Sequence, residues 1–213
     1  MSGSDSTGRY ALRFLHISDL HCQAGRERES WRRRRVLGDH WRRNLDTLLS
    51  EEGALDFVFF TGDAADWGLA AEYQEATEFF EKLREDLGGL SRDRIFVVPG
   101  NHDIDRKAEP DTWLRMRAAR TANADYLGLS RWMNRIDPRS PMGFGPAWRD
   151  RILERQRHYF DWVRDGLKRP QLATETLGYR ETVTLPAWPF PIHIIGLDTA
   201  WLCGDNSEAA ICY

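Results

Sequence analysis

Two patterns of apolar residues alternate along the first hundred residues. ALRFLHIS (residues 11–18) reads as a strand, and short, nearly unbroken apolar runs appear in DFVFFTGD (residues 56–63) and RIFVVPGN (residues 94–101). A short run with no polar alternation at its centre is what a strand covered on both faces requires. Between these runs apolar residues return at helical spacing. Trp41, Leu45, Leu48 and Leu49 mark one such segment, and Tyr73, Ala76, Phe80, Leu83 and Leu87 mark the other. The order strand, helix, strand, helix, strand predicts an α/β fold with a mostly parallel sheet. Right-handed crossovers then bring the C-terminal ends of all three strands to one edge.

The pattern changes over residues 111–168. Trp113, Trp132, Trp148 and Trp162 sit among many arginines, with a Pro/Gly-rich break at DPRSPMGFGPAW. This segment reads as a helical insertion rather than part of the sheet. Strand character returns at YRETVTLP and at PIHIIGLDT. The polar start MSGSDSTGRY predicts a disordered tail over residues 1–10, with one domain over residues 11–213.

Composition narrows the class. With 213 residues, 41% hydrophobic and 30% charged, the chain has the make-up of a globular domain. A formal charge of -3 gives no general affinity for nucleic acid or membrane surfaces. No apolar run is long enough to span a bilayer, and the N-terminus has no apolar leader. Three cysteines, Cys22, Cys203 and Cys212, form no Cys-x-x-Cys pair, which predicts reduced thiols and a cytoplasmic setting.

Each early strand ends in a polar group. The first closes in Asp19-Leu20-His21, the second in Gly62-Asp63-Ala64-Ala65-Asp66, and the third in Gly100-Asn101-His102-Asp103. Taken singly, these are turns or a helix N-cap. Taken in order, each at the carboxyl end of a strand, they converge where open α/β sheets bind ligands. Carboxylate, imidazole and amide oxygen suit Mn, Fe or Zn better than soft copper. In an extended chain Asp19 and His21 point the same way. Asp63 has two oxygens with which to bridge two ions, and Gly62 and Gly100 permit close backbone approach beside the site.

The ordered set DLH, GDAAD and GNHD resembles the calcineurin-like metallophosphoesterases, closely over residues 11–106 and loosely beyond. The resemblance implies an αββα sandwich, its second sheet incomplete here, with a dinuclear metal centre at the strand ends. It implies that Asp19, His21 and Asp63 bind the first metal, and that Asp63 and Asn101 bind the second. His102 then touches the phosphate and protonates the leaving group, with Asp66 orienting His102 by a hydrogen bond. Arg106 is a further phosphate contact, or a surface residue. The implied activity is hydrolysis of a phosphoester, with a phosphodiester such as a nucleotide or nucleic acid favoured, by attack of a metal-bound hydroxide.

Three departures from the family pattern shape this expectation. Trp67 stands where the serine/threonine phosphatases carry an arginine, which points to phosphodiesterase, nuclease or small-molecule phosphatase branches. A Gly-His-x-His motif is absent, and His16, His40, His158 and His193 are poor replacements. The first metal is therefore expected to bind tightly and the second weakly. The sequence stops within the expected second sheet, which suggests a missing C-terminal segment or a complementary chain. A non-catalytic module acting in binding or regulation is the alternative function. Among other features, RERESWRRRRVLGDHWRR reads as a solvated helix whose arginines pair with Glu27, Glu29 and Asp39, or as a basic wall for a polyanion. Cys22 reads as a buried thiol, Asp198 as a cleft residue or a turn cap, and the tryptophans as packing or a gating cap.

Overall fold

The computed structural model describes residues 10–26, 38–122, 125–140, 142–186 and 188–204. Strands β1 (Phe14–Ile17), β2 (Phe57–Phe60) and β3 (Ile95–Val97) form a parallel sheet in that order. Phe14 pairs with Phe57, and Val58 with Ile95. Central β2 buries Phe57, Val58 and Phe60 almost completely, which is why its apolar run has no gap. Edge strand β1 is one-sided: Leu15 and Ile17 meet the core, while Phe14 and His16 are exposed.

Helices α1 (Asp39–Glu52) and α2 (Ala70–Asp86) make the crossovers. The expected stripe of α2 is buried at Tyr73, Ala76, Phe80 and Leu83. In α1 only Leu45 is fully buried, and Leu48 turns outward. A second, antiparallel sheet is made by β4 (Gly178–Val183) and β5 (Ile192–Leu197), pairing Gly178 with Leu197 and Val183 with Ile192. Its inward residues Tyr179, Val183, Ile192 and Ile194 share one core with Phe57 and Phe96 of the first sheet. The fold is α/β, with two sheets packed across a common core and helices around them, and the second sheet has two strands among the described residues.

The insertion forms α3 (Pro110–Ala122), α4 (Tyr126–Met133), α5 (Pro146–Glu154) and α6 (Arg157–Asp161), continued by a π-helical turn at Trp162–Gly166. Trp113 and Trp132 pack with Met116, Leu129 and Ile152 in a satellite core. Trp162 instead stacks on Tyr73 of α2, ring centroids 5.4 Å apart. These three tryptophans are therefore packing residues. Arg169 links this region to β3. Its buried guanidinium donates to the main-chain oxygens of Arg92 and Ile95 and lies 4.8 Å from the Phe96 ring centroid.

One sequence expectation is corrected here. Cys22 is a buried thiol, but Cys203 is disulfide-bonded. An odd cysteine count allows one pair beside one thiol, so counting alone did not decide the matter. No helix among the described residues is long and apolar enough to cross a membrane. Residues 1–9 of the tail expected over residues 1–10, and most of the basic stretch, residues 27–37, lie outside the described residues.

Candidate metal centre

The loops after β1 and β2 run side by side beyond the strands. Asp19 N–H donates to the Gly62 carbonyl at 3.0 Å, His21 N–H to that of Asp63 at 2.9 Å, and Cys22 N–H to that of Ala64 at 3.0 Å. Asp66 N–H returns a bond to the Cys22 carbonyl at 3.1 Å. Within this paired segment Asp19, His21 and Asp63 have positive φ, at 61°, 47° and 61°. Side chains rarely take this left-handed conformation, so the neighbouring bonds must hold it. Asp19 and His21 thus face one another through two left-handed residues, not through the extended zigzag expected. His21 Nε2 lies 3.6 Å from Asp19 Oδ1.

The third loop is pressed against the second. Gly62 has φ +113°, and a Cβ there would sit 2.7 Å from Gly100 Cα. A Cβ on Gly100 would meet the Asp63 carboxylate at 2.2 Å. Both glycines are needed for this approach. It lets the N–H of His102 donate to Asp63 Oδ1 at 2.8 Å.

These loops bring together donor atoms of His21, Asp63 and His102 within 4.8 Å of one another. The two imidazoles meet edge to face, centroids 4.5 Å apart at 88°. Two imidazoles and a carboxylate fit a borderline divalent cation such as Zn, Mn or Fe. Asp66 lies beside both rings: Oδ1 is 3.7 Å from His21 Nδ1 and 3.8 Å from His102 Nδ1. His102 Nδ1 donates its hydrogen bond to the main-chain oxygen of Asp66, 2.7 Å away, rather than to its carboxylate. A carbonyl only accepts, so Nδ1 carries the proton and Nε2 is left for a metal or phosphate.

Of the other expected site residues, Asp19 stays at the rim, its side chain 63% exposed. Asn101 is half-buried at the head of the turn Asn101–Asp103, and Arg106 is half-buried just past it. The remaining histidines lie elsewhere. His16 is exposed and bonds Thr61, and His193 is exposed and bonds Thr182. His40 faces Arg43 within α1, and His158 belongs to α6. Asp198 caps a turn: its Oδ1 accepts from Trp201 N–H and from the Gln156 amide. Burial pushes its pKa up to about 6, against the pull of Gln156 and the main-chain donors.

Asp103 is the residue that sequence reasoning undervalued. It is fully buried, and it accepts from the N–H groups of Gly100 and Asp63 at 2.9 Å, Ala65 at 3.0 Å and Ala64 at 3.3 Å. The hydroxyl of Tyr73 donates to it at 3.0 Å. Burial raises its pKa to about 6, while the Gly100 and Ala65 N–H groups act the other way. One carboxylate thus ties the second loop, the third loop and α2 together beneath the donor cluster. The signal was present as a fourth letter in GNHD and a tyrosine on the buried stripe of α2.

Histidine and carboxylate donors gathered at the C-terminal ends of parallel strands form a candidate metal site on an α/β scaffold. The family model for calcineurin-like phosphoesterases matches residues 12–184, and the chain belongs to that family. It is 28% identical over 166 residues to an uncharacterized metallophosphoesterase-like protein of Bacillus subtilis, covering 75% of this chain. It is 30% identical over 89 residues to a protein of Coxiella burnetii described as a probable cyclic nucleotide phosphodiesterase, covering 42% of this chain. Each match spans 29% of the relative's own length. No solved structure gives a significant match.

Proposed function

We propose that this chain carries the active centre of a divalent-metal-dependent phosphoesterase, with a phosphodiester as its substrate. The observation that carries the proposal is the convergence of His21, Asp63 and His102 within 4.8 Å at the strand ends. In this reading Asp19, His21 and Asp63 hold the first metal, and Asp63 with Asn101 holds a second, weaker one. When bound, divalent metal neutralises phosphate oxygens and acidifies water. Asp66 holds the proton on His102 Nδ1 through its main-chain oxygen. His102 thereby presents Nε2 to the phosphate, where a protonated ring donates to the departing oxygen. The left-handed backbone at Asp19, His21 and Asp63 keeps these side chains in place before substrate arrives.

The test is hydrolysis of bis-p-nitrophenyl phosphate with added Mn, compared with an Asp63→Ala variant. Turnover in the wild type and its loss in the variant is expected; turnover that persists in the variant rules the site out. A second reading, a metal-binding module without turnover, is favoured by the small donor set among the described residues. Tight Mn binding with no hydrolysis of any diester would establish it. A cytoplasmic setting belongs to the same proposal; recovery of the protein in a non-cytosolic cell fraction would count against it.

A further inference from the structure

Trp67 follows Asp66 directly, and its indole is 52% exposed. Single exposed tryptophans are ordinary, but this one is held from several sides. Glu72, 1% exposed, accepts with one oxygen from the N–H groups of Trp67 and Leu69, both at 3.0 Å. Its other oxygen binds the guanidinium of Arg26. That guanidinium lies 3.7 Å from the centroid of the Trp67 ring, and its Nη2 is 3.6 Å from Asp66 Oδ2. On the far side of the turn, Gly68 has φ +69°, and a Cβ there would strike the backbone of Ile104 and Asp105 at 2.6 Å. The turn is wedged between the first turn of α2 and the segment that follows His102.

We propose that Trp67, backed by Arg26, is a stacking platform for the base of a nucleotide whose phosphate lies at the His21–Asp63–His102 cluster. The inference rests on the phosphodiesterase reading and names its substrate class. Trp67 directly follows Asp66, whose main-chain oxygen lies 2.7 Å from His102 Nδ1, which puts the residue next to the cluster. A cation against an indole withdraws electron density from it and favours an electron-rich purine on the exposed part of the ring. A rigid ring loses little freedom when a base stacks on it. Lys107 Nζ, 6.0 Å from the ring centroid, adds a second positive charge suited to an anionic ligand.

The test compares binding of 5′-AMP and ribose 5-phosphate to the Mn-loaded protein by calorimetry, so turnover is not needed. Base stacking changes affinity by about tenfold or more on loss of the aromatic partner. Wild type should bind AMP about tenfold more tightly than ribose 5-phosphate. Trp67→Leu, which keeps an apolar side chain but has no π-face, should lose most of that gap, while Trp67→Phe should retain much of it. Unchanged thermal unfolding and unchanged Mn affinity identify folded variants. Equal binding of the two probes by wild type, or a gap that survives in Trp67→Leu, overturns the inference. Hydrolysis separates the two proposals. Diester turnover with no AMP preference sinks the platform alone, and an AMP preference with no turnover sinks the phosphodiesterase reading alone.

Discussion

Asp103 accepts from four main-chain N–H groups of the two site loops and from the Tyr73 hydroxyl, so replacing it strands several buried donors at once. Asp103→Asn puts an amide nitrogen against N–H groups that need an acceptor. It should cost about 3 kcal/mol of stability, read as a lower urea midpoint, and weaken Mn binding as well. Wild-type stability and wild-type metal affinity together would contradict this role. The residues themselves were readable in the motifs, because His21, Asp63 and His102 each close a strand. Their orientations were not readable. Spacing along an extended strand cannot foresee left-handed residues at Asp19, His21 and Asp63, and it cannot tell which of His102 and Asp103 a single turn sends inward. The hydrogen bond from His102 to Asp66 shows the same limit, since a main-chain oxygen leaves no mark in the sequence.

At the scale of elements, apolar runs located the five strands among the described residues, and the helical stripe of α2 is buried at Tyr73, Ala76, Phe80 and Leu83, whereas the buried Glu72 lay outside it. The stripe of α1 was less exact. Leu48 belongs to the period but lies outside the region the sheet covers. Strand β5 is followed by Asp198, which fixes the turn Ala200–Leu202 and holds Gln156 ahead of α6. Its pKa of about 6 in the fold exceeds the ordinary 3.8, so the folded protein binds the extra proton between those values. The sign follows from linkage. Its contribution is complete below about pH 4, falls as pH rises through about 6, and is level above that. Asp198→Asn carries no charge at any pH and so escapes the loss. Its stability relative to wild type should grow by on the order of 2 kcal/mol between pH 4 and pH 7, measured by urea unfolding at each unit of pH. A constant difference across that range would show that Asp198 does not titrate as described.

For the whole molecule, the three loops that carry the donors are hydrogen-bonded to one another, and cation binding should tighten them together. Saturating Mn should raise the unfolding temperature, since a ligand at about a hundred times its Kd adds about 2.7 kcal/mol. Asp63→Ala should remove most of that rise, and a chelator should reverse it in wild type. A thermal shift that is identical in wild type and variant would place the binding elsewhere. The two-sheet architecture was legible because family motifs and strand runs agree over the first hundred residues. The way the insertion divides between two cores was hidden, because Trp132 and Trp162 look alike in sequence and only packing separates them. Arg169 carries a consequence for synthesis. The carbonyls of Arg92 and Ile95 and one face of Phe96 receive their partner from a residue made only after the whole insertion. On the ribosome, β3 therefore waits without it while α3 to α6 emerge, and the growing chain carries an unfinished apolar surface through that interval. Stalled chains released just beyond residue 110 should be cut readily within β3, and chains carried past Leu172 should resist the same protease.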